Sequence, residues 1–261
     1  MLKSLTTAAT GMQAQQTNMD VIANNMANVS TTGFKKSRAE FEDLMYQTQK
    51  EPGAASGLNA VSPTGVQTGL GVKTSSIQKD FEMGAAKITK NPLDLQVEGP
   101  GFFPIQLPDG QIGYTRDGSF KKDPSGRIVD RNGMPLQPEI TIPANATGID
   151  ISSSGQISVT TGNGMDLQNI GQIELVNFVN PAGLRAMGKN IFVPSNASGL
   201  PQQGAPGTNG LGMISQGQLE ASNVNIVDEM VNMITAQRAY ETNSKVIQAS
   251  DQMLQYMNQL R

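Results

Sequence analysis

The sequence predicts an α+β protein: long N- and C-terminal helices packed as a coiled-coil-like pair, with an inserted all-β body of short strands and hairpins. Three observations support this fold class. Apolar side chains recur every seven residues at both ends of the chain, and short β-type runs broken by turn residues fill the middle. Finally, 28 glycines and 14 prolines accompany only 5% aromatic residues, a composition typical of a β-rich body with many turns.

The first predicted helix covers residues 1–30. Leu2 begins one apolar column, and the neighbouring heptad column contains Leu5, Met12, Met19 and Met26. Four threonines and Gly11 are poor helix formers, so this helix must depend on packing rather than on intrinsic propensity.

The same helix carries little charge. Residues 1–34 contain only Lys3 and Asp20, whereas the chain average of 16% would give about five charged residues. A helix that faces water normally has a charged face. Uncharged amides suit helices that stack against identical copies, because an amide can both donate to its twin and accept from it. Two roles therefore stay open, register between packed helices or simple helix termination, for the asparagines Asn24, Asn25 and Asn28.

The C-terminal helix is predicted over residues 223–261. Asn225 is expected to cap it, and Asp228 and Glu229 suit its N-terminus. Met230 supports a heptad column formed by Ile226, Met233, Tyr240, Ile247 and Leu254. The free energy gained by burying this apolar stripe offsets only part of the backbone entropy that is lost when the helix becomes ordered. We therefore expect both terminal helices to be largely disordered in an isolated monomer and to become ordered on assembly.

Between the helices the sequence predicts three regions. Residues 31–90 form a loop and connecting β region, in which the Gly-, Pro-, Ser- and Thr-rich residues 51–76 are expected to be an extended loop. Residues 91–205 form an outer β-domain, and residues 206–222 a returning β connection. The cations Lys35, Lys36 and Arg38 are expected to form a solvated patch after the first helix.

Turn residues divide the β-domain into hairpins. Asp109-Gly110, Asp123 to Gly126 and Asn132-Gly133 are predicted turns, and the runs GQISVTT and GQIELVNFV alternate as half-buried strands do. Pro104 lacks a backbone donor, so its strand is predicted at a sheet edge or a bulge.

Composition excludes several classes of chemistry. The chain has no cysteine, histidine or tryptophan, so a thiolate nucleophile, an imidazole base and a His or Cys metal site are impossible. A net charge of −3 argues against nucleic-acid binding. The spacing of Asp109, Asp117, Asp123 and Asp130 matches no calcium loop. We expect no catalytic, cofactor-binding or metal site, no signal peptide and no membrane-spanning segment.

Two terminal stretches resemble the bacterial flagellar rod and hook family. They are ANNMANVSTTGFKKSRAEF near the N-terminus and GQLEASNVNIVDEMVNMITAQRAYETNSKVIQASDQML near the C-terminus. In the middle, VEGPGFFPIQLPDGQIGYTRDGSF and ITIPANA are similar to the body of the rod proteins. The resemblance covers nearly the whole chain. The length of the chain and its loop at about residues 46 to 68 are most similar to those of distal rod subunits.

The resemblance implies a non-enzymatic structural subunit of the distal part of the flagellar rod. Such a subunit is exported through the flagellar type III apparatus without a cleaved signal peptide and polymerises into a hollow helical shaft that spans the periplasm and transmits torque from motor to hook. Its partners would be copies of itself, proximal rod and hook proteins, and the surrounding ring proteins. Two different functions stay open beside it: a proximal rod or hook subunit of the same family, or a secreted oligomeric β-module that binds glycan.

The predicted subunit interface draws on both terminal helices and on the residues that follow the first of them. Its members are Leu2, Leu5, Met12, Met19, Ile22, Asn24, Asn25, Met26, Asn28, Gly33, Phe34, Ile226, Met230, Met233, Tyr240, Ile247 and Leu254.

Overall fold

The computed structural model describes residues 2–52, 55–57, 60–61, 63–162 and 166–259. These residues divide into two compact units. The first, the helical unit, contains residues 1–27, 37–78 and 225–261, and the second, the β body, contains residues 28–36 and 79–224. The predicted α+β fold class is confirmed, with the terminal helices packed together and a body of short sheets between them in sequence.

The helical unit consists of two long helices and a ribbon of strands. Helix α1 spans Leu2–Ala27 and helix α2 spans Ile226–Gln259. The strands that follow α1 are β1 (Ser37–Asp43), β2 (Tyr46–Lys50), β3 (Ala55–Gly57), β4 (Ala60–Val61), β5 (Val66–Gly69) and β6 (Val72–Lys79), whose last residue belongs to the β body. Among the described residues, neither helix has a stretch apolar enough to cross a bilayer.

Asn225 caps α2 as the sequence predicts. Its side-chain oxygen accepts from the backbone N–H of Val227 at 3.1 Å, and its carbonyl accepts from the N–H of Glu229 at 3.0 Å. Asp228 and Glu229 lie in the first turn, where negative charge suits the helix dipole. Cap and charges together fix the start of α2.

The ribbon differs from the extended loop expected for residues 51–76. Strand β5 pairs antiparallel with β2, β3 pairs with β4, and β6 pairs with β1. Backbone hydrogen bonds across a ribbon require no apolar side chains, so a composition rich in Gly, Ser and Thr does not reveal this pairing. The predicted loop is therefore a two-stranded arm over much of its described length.

The β body contains the remaining strands. They are β7 (Ala86–Ile88), β8 (Leu95–Glu98), β9 (Phe103–Gln106), β10 (Ile112–Thr115), β11 (Lys121–Lys122), β12 (Ile128–Val129), β13 (Ala146–Ile151), β14 (Gln156–Thr161), β15 (Asp166–Gln172), β16 (Leu175–Asn177), β17 (Arg185–Gly188), β18 (Ile191–Val193), β19 (Gln202–Gly204), β20 (Met213–Gln216) and β21 (Gln218–Glu220). A 3₁₀ turn spans Pro181–Gly183.

These strands form small antiparallel sheets around two apolar clusters, of which the first is the larger. The largest has the order β17-β18-β10-β9, a three-stranded sheet has the order β13-β14-β15, and further pairs join β11 to β12, β16 to β19, β20 to β8 and β21 to β7. The first cluster includes the fully buried side chains of Leu95, Phe103, Ile105, Leu136, Ile157 and Ile173. A second cluster packs Phe102, Tyr114, Phe178 and Phe192 edge to face.

Most local predictions for the body are confirmed. Pro104 lies in β9, the edge strand of the four-stranded sheet. The predicted turns place Gly110, Gly126 and Gly133 at φ values of 76°, 85° and 81°, which favour glycine. The run GQISVTT forms β14, but GQIELVNFV is divided, because β15 ends at Gln172 and β16 begins at Leu175.

Candidate assembly interface

Helices α1 and α2 pack antiparallel in one constant register. The hydroxyls of Ser4 and Ser250 lie 3.5 Å apart, and a Cβ added to Gly11 would lie 2.9 Å from the Asn243 amide nitrogen. Fourteen residues farther along α1, the amide nitrogen of Asn25 lies 3.5 Å from a carboxylate oxygen of Glu229. Each step along α1 is matched by an equal step back along α2. At these three points the seam is lined by small or polar side chains.

The α2 side of the seam has two columns. Glu229, Ala236 and Ser250 are buried, with exposures of 8%, 3% and 2%, and they form a column that no apolar pattern in the sequence indicates. Their heptad spacing is regular, but without large apolar side chains it gives no hydrophobic signal. The predicted interface residues of α2 divide between two environments: Met233, Ile247 and Leu254 are half-buried in the neighbouring column, whereas Ile226, Met230 and Tyr240 are exposed.

The predicted interface residues of α1 mostly lie on its packed side. Ile22 and Asn25 are buried, and Leu5, Met12, Met19 and Met26 are half-buried. Asn24 is exposed, and the side chain of Leu2 lies outside the described residues. In the β body, Asn28 is half-buried, whereas Gly33 and Phe34 are buried. Their role between subunits stays a prediction.

Asn25 uses its amide within the chain. Its nitrogen donates to the carbonyl of Ser37 at 2.8 Å, and its oxygen accepts from the N–H of Ser37 at 2.8 Å. The side chain thus satisfies both backbone groups of the first residue of β1, while it also approaches Glu229 on α2. Alanine or glutamate lacks this donor and acceptor pair. Asn25 therefore joins the end of α1 to the starts of β1 and α2.

The outer side of α2 changes character along its length. Its first turns expose four large apolar side chains, Val227, Met230, Val231 and Ile234, at 67%, 51%, 57% and 49%. The middle exposes Arg238, Glu241 and Lys245, and exposed glutamines follow. Large apolar side chains are exposed again near the end of α2, at Met253, Tyr256 and Met257. The group exposed together on the first turns is typical of an interaction site.

The outer side of α1 is polar and nearly uncharged. It consists of the exposed residues Thr6, Ala9, Gln13, Gln16, Asp20, Ala23, Asn24 and Ala27. Asp20 is the only charged residue among them, since Lys3 lies about 100° away around the helix and donates to the side chain of Gln47 in β2. The low charge of residues 1–34 therefore leaves the exposed side of α1 nearly uncharged.

In the β body, a buried ion cluster joins the segment that follows α1 to the strand that precedes α2. The Lys35 ammonium lies 2.6 Å from Glu220 and donates to the Glu82 carbonyl at 2.6 Å. Glu220 also accepts from the N–H of Gly84 at 2.9 Å, and its other oxygen lies 3.7 Å from the Arg116 guanidinium. The side chains of Lys35, Glu220 and Arg116 are 0%, 1% and 3% exposed.

This cluster corrects the prediction that Lys35 belongs to a solvated patch. Lys35 is buried, whereas Lys36 is half-buried beside Asp80 and Arg38 is exposed. Burial lowers the pKa of Lys35 below its usual value, and the charge of Glu220 opposes that shift. The acidic partner is Glu220 of the GQLEASN stretch. It lies so far from Lys35 along the chain that the sequence did not reveal the pairing.

The described residues offer no grouping of acidic side chains that could hold a metal ion. Among the carboxyl groups that the structure describes, Asp117 has a raised pKa, and burial is the main cause.

Comparison with known proteins decides the family. Residues 5–35 match the family described as Flagella basal body rod protein, residues 96–159 match Flagellar hook protein FlgE/F/G D1 domain, and residues 215–260 match Flagellar basal body rod FlgEFG protein C-terminal. Flagellar basal-body rod protein FlgG of Caulobacter vibrioides is 50% identical over 261 residues and is covered completely, as is this chain. The chain belongs to the FlgG family of flagellar basal-body rod proteins. The FlgG of Buchnera aphidicola subsp. Schizaphis graminum is also 50% identical over the full length of both chains, and that of Bacillus subtilis is 39% identical.

Membership of the FlgG family settles the class of function. The chain is a structural protein of the flagellar basal-body rod and not an enzyme, and it assembles with rod and hook proteins. A more distant relative, flagellar hook-basal body complex protein FlhP of Bacillus subtilis, is 32% identical over the whole chain. The closer similarity to FlgG proteins favours the distal rod over a proximal rod or hook subunit and over a secreted glycan-binding module.

Proposed function

We propose that copies of the chain polymerise through their terminal helices into a hollow helical shaft that transmits torque from the motor to the hook. The observation that supports this most is the exposed apolar surface on the first turns of α2, next to a helix pair that makes polar contacts along its seam. The large apolar side chains of α2 are half-buried or exposed, so the pair gains stability when neighbouring copies cover them.

The roles of the regions follow from the same proposal. The helical unit forms the inner part of the shaft, the arm of β2 and β5 contacts adjacent copies, and the β body forms the outer wall. Tyr46 at the start of the arm and Met45 directly before it are 55% and 84% exposed, which suits contact with a neighbour. We further propose the type III export apparatus and the surrounding ring proteins as partners.

Leu254→Asp tests the helical interface. Leu254 is half-buried on the packed side of α2, so an aspartate there would place an unpaired charge in the assembled core. We expect no polymer from this variant at concentrations where the unsubstituted chain polymerises, while the β body remains folded. Sedimentation and electron microscopy measure assembly, and circular dichroism measures the body.

Leu254→Met is the matched control, because it keeps an apolar side chain of similar volume. It should polymerise like the unsubstituted chain. Normal polymers from Leu254→Asp would contradict the proposed interface.

A further inference from the structure

We propose that, in the polymer, the outer side of α1 of one copy packs antiparallel on the first turns of α2 of the next copy, with Asp20 paired to Arg238. This inference rests on the proposed function and specifies which surfaces meet. The two surfaces are the exposed apolar group Val227, Met230, Val231 and Ile234 and the nearly uncharged outer side of α1.

Charge and burial point to a second copy as the occupant. Asp20 is the only charge on the outer side of α1, and Arg238 stands one turn after Ile234 on the same side of α2. Neither forms a salt bridge with a described residue. One chain thus carries two exposed surfaces that complement each other: the outer side of α1, whose single charge is Asp20, and the apolar first turns of α2, whose nearest charge on that side is Arg238.

The direction of packing follows from the orientation of the helices within one chain. If Asp20 meets Arg238 in an antiparallel arrangement, Asn24 lies opposite Ile234 and Ala27 opposite Val231. In a parallel arrangement Val231 would instead lie opposite Gln13. Each arrangement places one amide, Asn24 or Gln13, opposite an apolar side chain, so amide burial does not choose between them. Within one chain α1 and α2 already pack antiparallel, so a neighbouring copy in the same orientation presents its α2 antiparallel to α1, and we infer that arrangement.

The contact joins different surfaces of the two copies. Such a heterologous contact leaves the α2 surface of one copy and the α1 surface of the other free, so further copies can add, and it gives an open helix when the rotation between copies does not close a ring. It therefore allows the open growth that a shaft requires.

Single cysteines test this register, since the chain has none of its own. Ala27→Cys and Val231→Cys are purified separately, polymerised alone or as an equal mixture, and oxidised. We expect disulfide-linked dimers from the mixture and none from either variant alone. A matched control replaces Val231→Cys with Ser154→Cys, on an exposed turn of the β body, and should give no dimer.

Charge exchange provides a second test that does not depend on cross-linking. Asp20→Arg and Arg238→Asp should each raise the critical concentration for polymerisation about fivefold to tenfold, because each places like charges together. An equal mixture should return towards the value of the unsubstituted chain, because each variant supplies the complement of the other.

The outcomes separate this inference from the proposed function. Dimers from Val231→Cys alone would indicate an isologous contact and overturn the inference. The inference is also overturned if polymers form but the cysteine mixture gives no dimer, or if mixing the two charge variants does not lower the critical concentration. In either case the proposed helical shaft still stands. If the unsubstituted chain does not polymerise at any concentration, the proposed function itself fails.

Discussion

Glu220→Gln is expected to destabilise the β body by about 3–5 kcal/mol, because it leaves the buried cations Lys35 and Arg116 without their shared carboxylate. Lys35→Met should destabilise the β body less, since Glu220 then keeps its ion pair with Arg116 and its hydrogen bond from the N–H of Gly84. The asymmetry arises because the cluster holds two cations and one anion. Urea unfolding of the β body measures both variants.

The loss in free energy of unfolding caused by Glu220→Gln, here called the deficit, should also depend on pH. Burial already lowers the pKa of Lys35, and loss of Glu220 removes the charge that opposes this shift. A lysine whose pKa is lowered in the folded state releases its proton before the unfolded chain does, so the folded state gains stability as the pH rises. We therefore expect the deficit to narrow from pH 7 towards pH 10.

Glu139→Gln is the matched control for this substitution. Glu139 pairs with Arg127 at 3.8 Å, and its side chain is 47% exposed, so its loss should change stability by no more than about 0.5 kcal/mol. An equal effect of Glu220→Gln and Glu139→Gln would contradict the structural importance of the buried cluster.

Asn25→Asp is expected to weaken polymerisation about a hundredfold at pH 7, which corresponds to about 3 kcal/mol. The variant loses the donor to the Ser37 carbonyl and places a second carboxylate beside buried Glu229. The critical concentration, measured by sedimentation against the unsubstituted chain at each pH, reports the effect.

Lowering the pH should partly restore polymerisation of the Asn25→Asp variant. Burial and the neighbouring Glu229 are expected to raise the pKa of the introduced carboxyl group above its usual value. The penalty is therefore present above that raised pKa and disappears as the group becomes protonated. We expect the ratio of critical concentrations to fall between pH 7 and about pH 4. Asn232→Asp makes the same amide-to-acid change at an exposed position of α2 outside the proposed contact and should cost less than about tenfold.

Local patterns in the sequence predicted much of the fold. Heptad columns such as Met233, Ile247 and Leu254 identified the helices, because a period near 3.6 residues places them on one side. Turn dipeptides identified the hairpins of the body, because only a few residues accept a positive φ. These features depend on neighbouring residues, which a sequence displays directly.

Long-range polar contacts could not be predicted in the same way. Lys35 and Glu220 are 185 residues apart, and a lysine after a helix normally faces water. Ala236 and Ser250 line the helix seam without any hydrophobic signal. The asparagines were correctly identified as unusual, but the pairing of Asn25 with Ser37 depends on where β1 begins.

The central claim is that the terminal helices gain their stability from neighbouring copies. Amide hydrogen exchange of the dilute monomer and of the polymer tests it most directly. We expect α1 and α2 to exchange rapidly in the monomer and slowly in the polymer, while the core strands of the β body are protected in both. Full protection of both helices in the dilute monomer would contradict the claim.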